Sequence, residues 1–183
     1  MKVLRSIFGY LLLFILMLSS CEPKNPETSA ELTSYVDPFI GTGGHGHTFP
    51  GATVPFGMVQ LSPDTRLDGW DGCSGYHYSD SIVYGFSHTH LSGTGVSDYG
   101  DVLLMPTSPG PFMYNGAEKG VDKGYASRFS KSSEIAEPGF YKVFLSDYNI
   151  DVELTTTKRA GFHKYQFDSA ASRHVVLDLE HRD

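Results

Sequence analysis

Alternation of apolar and polar side chains is clearest in the last third of the chain. In residues 139–146, Tyr141, Val143 and Leu145 share one face, while Phe140 and Phe144 flank Lys142 on the other. In residues 150–157, Ile150, Val152 and Leu154 oppose Asp151, Glu153 and Thr155. A period of two marks a strand with one buried face, so both segments are predicted strands. Lys158-Arg159-Ala160-Gly161 interrupts the pattern, and further strands are expected over 161–167 and 173–179, the latter setting Val175, Leu177 and Leu179 opposite Asp178 and Glu180. Short connections between such segments predict antiparallel neighbours in one layer of an all-β sandwich. The sequence stops directly after the last of these strands, so an open edge beside Leu179 and a sandwich truncated before completion are expected.

The preceding stretch, residues 35–111, reads differently. It is dense in glycine and proline, holds only short apolar pieces, and shows no long run at a helical period. Short strands are predicted over 53–61, 82–89 and 101–106, joined by loops in which glycine permits positive φ or close backbone approach. Gly41-Thr42-Gly43-Gly44-His45-Gly46-His47 lacks both a following helical stripe and the Lys-Ser/Thr pair of a phosphate-binding loop.

The N-terminus has the order of an export signal. Lys2 and Arg5 precede an apolar run from Ile7 to Leu18, too short for the roughly 20 residues that span a bilayer. Leu18-Ser19-Ser20-Cys21 resembles the bacterial lipobox, which implies cleavage after residue 20 and lipidation of Cys21. Several acyl chains on one residue give stable anchoring. The expected organisation is a signal peptide over 1–20, a polar, proline-bearing tether over 21–34, and a folded domain over 35–183. Such a protein sits outside the cytoplasm, lipid-anchored in the bacterial cell envelope, periplasmic or at the cell surface.

Composition narrows the classes. The 183 residues are 40% hydrophobic, which excludes wholesale disorder, and the formal charge of −7 comes without any basic patch, which argues against a nucleic acid partner. Of the two cysteines, Cys21 is committed to lipid, so no internal disulfide is expected.

Candidate chemistry concentrates in residues 37–101, which carry five of the eight histidines, at 45, 47, 77, 88 and 90, with seven aspartates. Two readings stand. His45 with His47, or His88 with His90, could begin a metal site, since alternate residues of an extended segment share a side; or the rings serve as hydrogen-bonding supports of the loops. Trp70, the single tryptophan, lies in Leu67-Asp68-Gly69-Trp70-Asp71-Gly72-Cys73-Ser74-Gly75-Tyr76-His77-Tyr78. An indole in such a loop either covers the apolar face of a sugar or fills a core. Cys73 is a small buried hydrophobe or a pocket-lining thiol, with His77 near enough in sequence to raise a thiol nucleophile.

Several of these segments also resemble the opening of glycoside hydrolase family 92. They are Tyr35-Val36-Asp37-Pro38-Phe39-Ile40-Gly41-Thr42, Phe49-Pro50-Gly51-Ala52, Pro55-Phe56-Gly57-Met58-Val59-Gln60-Leu61-Ser62-Pro63-Asp64, Gly69-Trp70, Gly75-Tyr76-His77-Tyr78, Gly85-Phe86-Ser87-His88-Thr89-His90-Leu91-Ser92-Gly93-Thr94-Gly95 and Asp98-Tyr99-Gly100-Asp101. The resemblance implies a calcium-dependent, inverting exo-α-mannosidase with an N-terminal β-sandwich and a larger helical domain, the active site lying between them. It further implies that the catalytic acid, the catalytic base and the principal calcium ligands belong to the helical domain, which is absent from this chain. No catalytic or metal-binding residue is therefore assigned here. Gly69, Trp70, Cys73, His77, His88 and His90 are the expected sugar-contacting residues.

The leading expectation is the N-terminal part of an α-mannosidase acting on terminal α-linked mannose of glycans, inactive on its own and partnered by the helical domain. The alternative is a non-catalytic carbohydrate-binding lipoprotein.

Overall fold

The computed structural model describes residues 32–110, 112–169 and 172–181. The expected signal peptide, the lipidation site Cys21 and the tether up to residue 31 lie outside the described residues. Among the described residues no helix is long and apolar enough to cross a membrane.

The domain is all-β. Its strands are β1 (Ala52–Thr53), β2 (Gln60–Asp64), β3 (Ile82–Val83), β4 (Gly85–Ser87), β5 (Leu103–Thr107), β6 (Ser127–Arg128), β7 (Ile135–Glu137), β8 (Phe140–Leu145), β9 (Ile150–Thr156), β10 (Gly161–Gln166) and β11 (His174–Asp178). One sheet has the order β1-β2-β4-β5-β11, a second the order β10-β9-β8-β7, and β3 pairs with β6 in a small third. Every pairing is antiparallel. The two larger sheets face each other where β9 lies on β1 and β2.

The alternation in the sequence explains the meander. In β8 and β9, Tyr141 stands opposite Leu154, Val143 opposite Val152 and Leu145 opposite Ile150, all buried. The same register places Lys142 beside Asp151 and Glu153 on the outer face, where Lys142 Nζ lies 3.3 Å from Asp151 Oδ1 and Lys164 Nζ 2.9 Å from Glu153 Oε2. Leu61, Phe86, Leu103 and Met105 of the opposite sheet complete the core. Removing such side chains from water contributes about 25 cal/mol per Å² of apolar area.

Two strand expectations in the glycine-rich half need correction. The segment expected over 53–61 is two strands, because Pro55-Phe56-Gly57 turns the chain: Gly57 N–H donates to Val54 O at 2.8 Å, and Phe56 has φ 58°. The segment over 82–89 divides at Tyr84, β3 joining β6 while β4 joins β2 and β5. Gly85 makes this possible, since a Cβ there would stand 2.4 Å from Leu103 Cδ2.

The last strand does not extend the meander. It pairs with β5, with Val176 opposite Met105, and Tyr125 Oη donates to Asp178 Oδ2 at 2.5 Å. Val175, Leu177 and Leu179 are solvent-exposed, whereas Val176 packs against the core. β11 is an edge strand, as the open edge predicted. A cleft of about 670 Å³ runs between β11 and residues 112–119.

One buried polar cluster fixes the Trp70 segment to the meander. The Glu134 carboxylate accepts from Tyr76 Oη at 3.0 Å and from Tyr141 Oη at 2.6 Å, and pairs with Lys131 Nζ at 2.9 Å. Burial and the neighbouring carboxylate push both phenols well above their ordinary pKa, so they remain donors throughout the physiological range. Tyr76 anchors one end of the loop that carries Trp70.

Candidate functional site

Three loops meet around Trp70. Gly69, with φ 78°, turns the chain into a single 3₁₀ turn at Trp70–Gly72. Cys73 closes it, its buried thiol donating to Trp70 O at 2.8 Å. The glycine-rich loop is drawn in by Tyr78 N–H donating to Thr42 O at 2.8 Å and by Ser74 Oγ donating to Thr48 O at 3.1 Å. Within it Gly46 runs against Gly41, where a Cβ would come within 2.0 Å of the carbonyl oxygen. The third loop is held by Gly93 N–H donating to His47 O at 2.7 Å.

The indole of Trp70 is 62% exposed. It rests on Gly95, where an added Cβ would stand 2.1 Å from Trp70 Cη2, and the ring of His47 meets it edge-on at a centroid distance of 5.0 Å. Among the described residues Trp70 is not part of the core. Asp71 completes the cluster. Its Oδ1 lies 2.6 Å from His45 Nδ1 and 3.6 Å from the buried His47 Nε2. The bond to His45 holds the Asp71 carboxyl below the usual carboxylate range, so a fixed negative charge sits beside the indole at neutral pH. A flat apolar face edged by a carboxylate and imidazoles can cover the C–H face of a pyranose and bind its hydroxyls.

The six residues named from sequence divide. Gly69, Trp70, Cys73 and His77 lie on one loop. A Cβ on Gly69 would meet nothing within 4 Å, so its positive φ, and not crowding inside the chain, is what calls for glycine. Cys73 is a buried hydrogen-bonding thiol facing a carbonyl. His77 supports the loops: its Nδ1 accepts from Ser79 N–H at 3.2 Å, which leaves Nε2–H to donate to Gly44 O at 3.1 Å.

The other two histidines stand in different surroundings. His90 is buried; Nδ1–H donates to Gln60 O at 2.8 Å, while Nε2 lies 3.3 Å from Asp64 Oδ1. Asp64 is fully buried between His90 and His181 Nε2, the latter 3.6 Å from Oδ2. Burial alone would raise the Asp64 carboxyl, but the two imidazoles hold it far below the usual range. His88 sits where the two large sheets face each other, against His163.

His45, His47, Asp71 and Gly95 were not among the residues named from sequence as sugar contacts. Asp71 and His45 are 26 positions apart, and only the folding of the glycine-rich loop onto the 3₁₀ turn joins them. Among the described residues no group of three His, Cys, Asp or Glu side chains is arranged to hold a metal ion. The Trp70 cluster offers imidazoles and one carboxylate, a poor match to the six to eight oxygens that calcium takes.

The N-terminal domain of glycosyl hydrolase family 92 matches residues 35–183. The chain belongs to this family. Among solved structures, a family 92 α-mannosidase from Bacteroides thetaiotaomicron, determined both free and with mannoimidazole, is 41% identical with a TM-score of 0.79, over 82% of this chain and 20% of that one. The family 92 inverting mannosidase of B. thetaiotaomicron VPI-5482 is 29% identical, with a TM-score of 0.67, over 80% of this chain and 19% of that one. A secreted glycosidase of Arthroderma benhamiae, itself uncharacterised, is 33% identical over 75% of this chain and 17% of its own length. The chain thus spans about a fifth of these family 92 relatives, and the all-β fold with several antiparallel sheets matches their N-terminal domain.

Proposed function

We propose that residues 35–183 form a carbohydrate-binding domain that is non-catalytic by itself and seats a terminal α-linked mannose on Trp70. The observation that carries this reading is the exposed indole, fixed from below by Gly95 and edged by His47 and the charged Asp71. The match to family 92 mannosidases, one solved with mannoimidazole, supports mannose as the sugar.

In the parent polypeptide this domain supplies glycan-contacting loops to an α-mannosidase. An inverting glycosidase sets a general acid and a general base about 6.5–9.5 Å apart, with the attacking water between base and sugar. We assign both carboxyl groups, and the calcium that the family resemblance implies, to a helical domain outside this chain. Export over residues 1–20, lipidation at Cys21 and a tether over 21–34 complete the proposal, placing the domain in the bacterial cell envelope. The relative named as secreted supports an extracytoplasmic location.

Calorimetric titration of the protein with methyl α-mannoside and with α-linked mannobiose tests the binding role. Trp70→Ala should weaken binding at least about tenfold, some 1.4 kcal/mol, while the melting temperature stays near wild type because the ring is largely outside the core. Equal affinity in the variant would remove Trp70 from the site. Severe unfolding would instead make it a structural residue.

A further inference from the structure

We propose that His88 and His163 form a two-imidazole site for a late first-row divalent cation, copper(II) or zinc(II), across the seam between the two large sheets. His88 follows β4 of one sheet and His163 lies on β10 of the other. Their Nε2 atoms are 3.2 Å apart and their ring centroids 5.0 Å. With a ring radius of about 1.15 Å, a straight ring-to-ring hydrogen bond of this length separates the centroids by about 5.5 Å. Two rings aimed at one cation about 2.05 Å from each nitrogen stand about 5.0 Å apart. The observed separation equals the second value, so one cation could be held between the two nitrogens with little movement of the rings.

The far side of the His88 ring is already oriented as a metal ligand requires, and that of His163 can become so by a proton shift. His88 Nδ1–H donates to Val102 O at 2.7 Å, and because a carbonyl only accepts, the neutral ring turns the Nε2 lone pair toward His163. His163 Nδ1 lies 2.7 Å from Tyr165 Oη, a hydroxyl that can donate or accept. Without metal, Tyr165 donates to His163 Nδ1 and His163 Nε2–H donates to His88. With metal, the His163 proton moves to Nδ1 and is donated to Tyr165 Oη, freeing Nε2 as a ligand. No proton is lost overall. Gly161 leaves room beside the pair, since a Cβ there would stand 3.1 Å from His88 Cδ2.

Two nitrogens and no third His, Cys, Asp or Glu in a ligating arrangement among the described residues leave the remaining positions to water. Neutral imidazoles favour copper over zinc by the usual affinity order and disfavour calcium. This site shares no residue with the Trp70 cluster, and its test is independent of sugar binding.

The test is titration of untagged full chain, freed of metal, with copper(II) chloride at pH 7, followed by electron paramagnetic resonance, and with zinc(II) chloride by calorimetry. One cation per chain is expected, with coupling to two nitrogens in the copper spectrum. His88→Gln and His163→Gln should each weaken binding at least tenfold and abolish any rise in melting temperature on adding zinc. If His88→Gln fails to fold, His163→Gln carries the test alone. Absence of binding overturns the proposal, as does binding that survives both substitutions or is lost on His45→Gln instead.

Discussion

A single missing Cβ decides how Trp70 is presented. Because a methyl group at Gly95 would occupy space 2.1 Å from Trp70 Cη2, Gly95→Ala must displace the indole from its support. Trp70 is the only tryptophan, so its emission reports its own surroundings. A shifted emission maximum and about tenfold weaker mannoside binding are expected; an unmoved spectrum with full affinity would show that the ring does not depend on Gly95. Asp64 gives a second residue-level prediction. Its folded pKa lies below the unfolded value of about 3.9, so its contribution is fully present above that pH and is lost as the medium acidifies through the folded value. Melting temperature should fall steeply below about pH 4, and Asp64→Asn should flatten that part of the profile while lowering stability at pH 7. A parallel profile in the variant would mean that acid sensitivity arises elsewhere.

Among the elements, β8 and β9 were legible because each has one wet and one dry face, and alternation records just that. The partner of β11 was not. Period two says which residues share a face and nothing about which strand lies alongside, so the chain's return to β5 was hidden. Tight turns blurred the boundaries near Pro55 and Tyr84, where the extended pieces are only two to five residues long. The site was legible in part for a related reason: Gly69-Trp70 is contiguous, whereas the His45–Asp71 contact depends on two loops meeting in space. The exposed side of β11 carries an element-level prediction. Val175 and Leu177 on this edge strand, with Leu179 just beyond it, form an exposed apolar row, a feature that promotes association between sheets. Leu177→Lys should increase the monomeric fraction in light scattering at high protein concentration, with little change in melting temperature since Leu177 is 56% exposed. Unchanged association would show that this row is not the contact.

At the scale of the whole molecule, the described domain packs two large sheets on a common core, and its glycine-rich loops meet at one exposed indole. The clamp of Tyr76 and Tyr141 on Glu134 joins that loop to the meander, so the placing of Trp70 is set by the core and not by loop sequence alone. It spans about a fifth of the family 92 chains it matches, and the proposed division of labour gives it sugar recognition and leaves bond cleavage to the remaining polypeptide. The central claim is that terminal mannose lies on Trp70. Its most direct test is the nuclear magnetic resonance signal of the lone indole N–H during titration with methyl α-mannoside. The account predicts a saturable shift of that resonance, absent with methyl α-glucoside at the same concentrations. A resonance that stays fixed while mannoside binding is detected by calorimetry would contradict it.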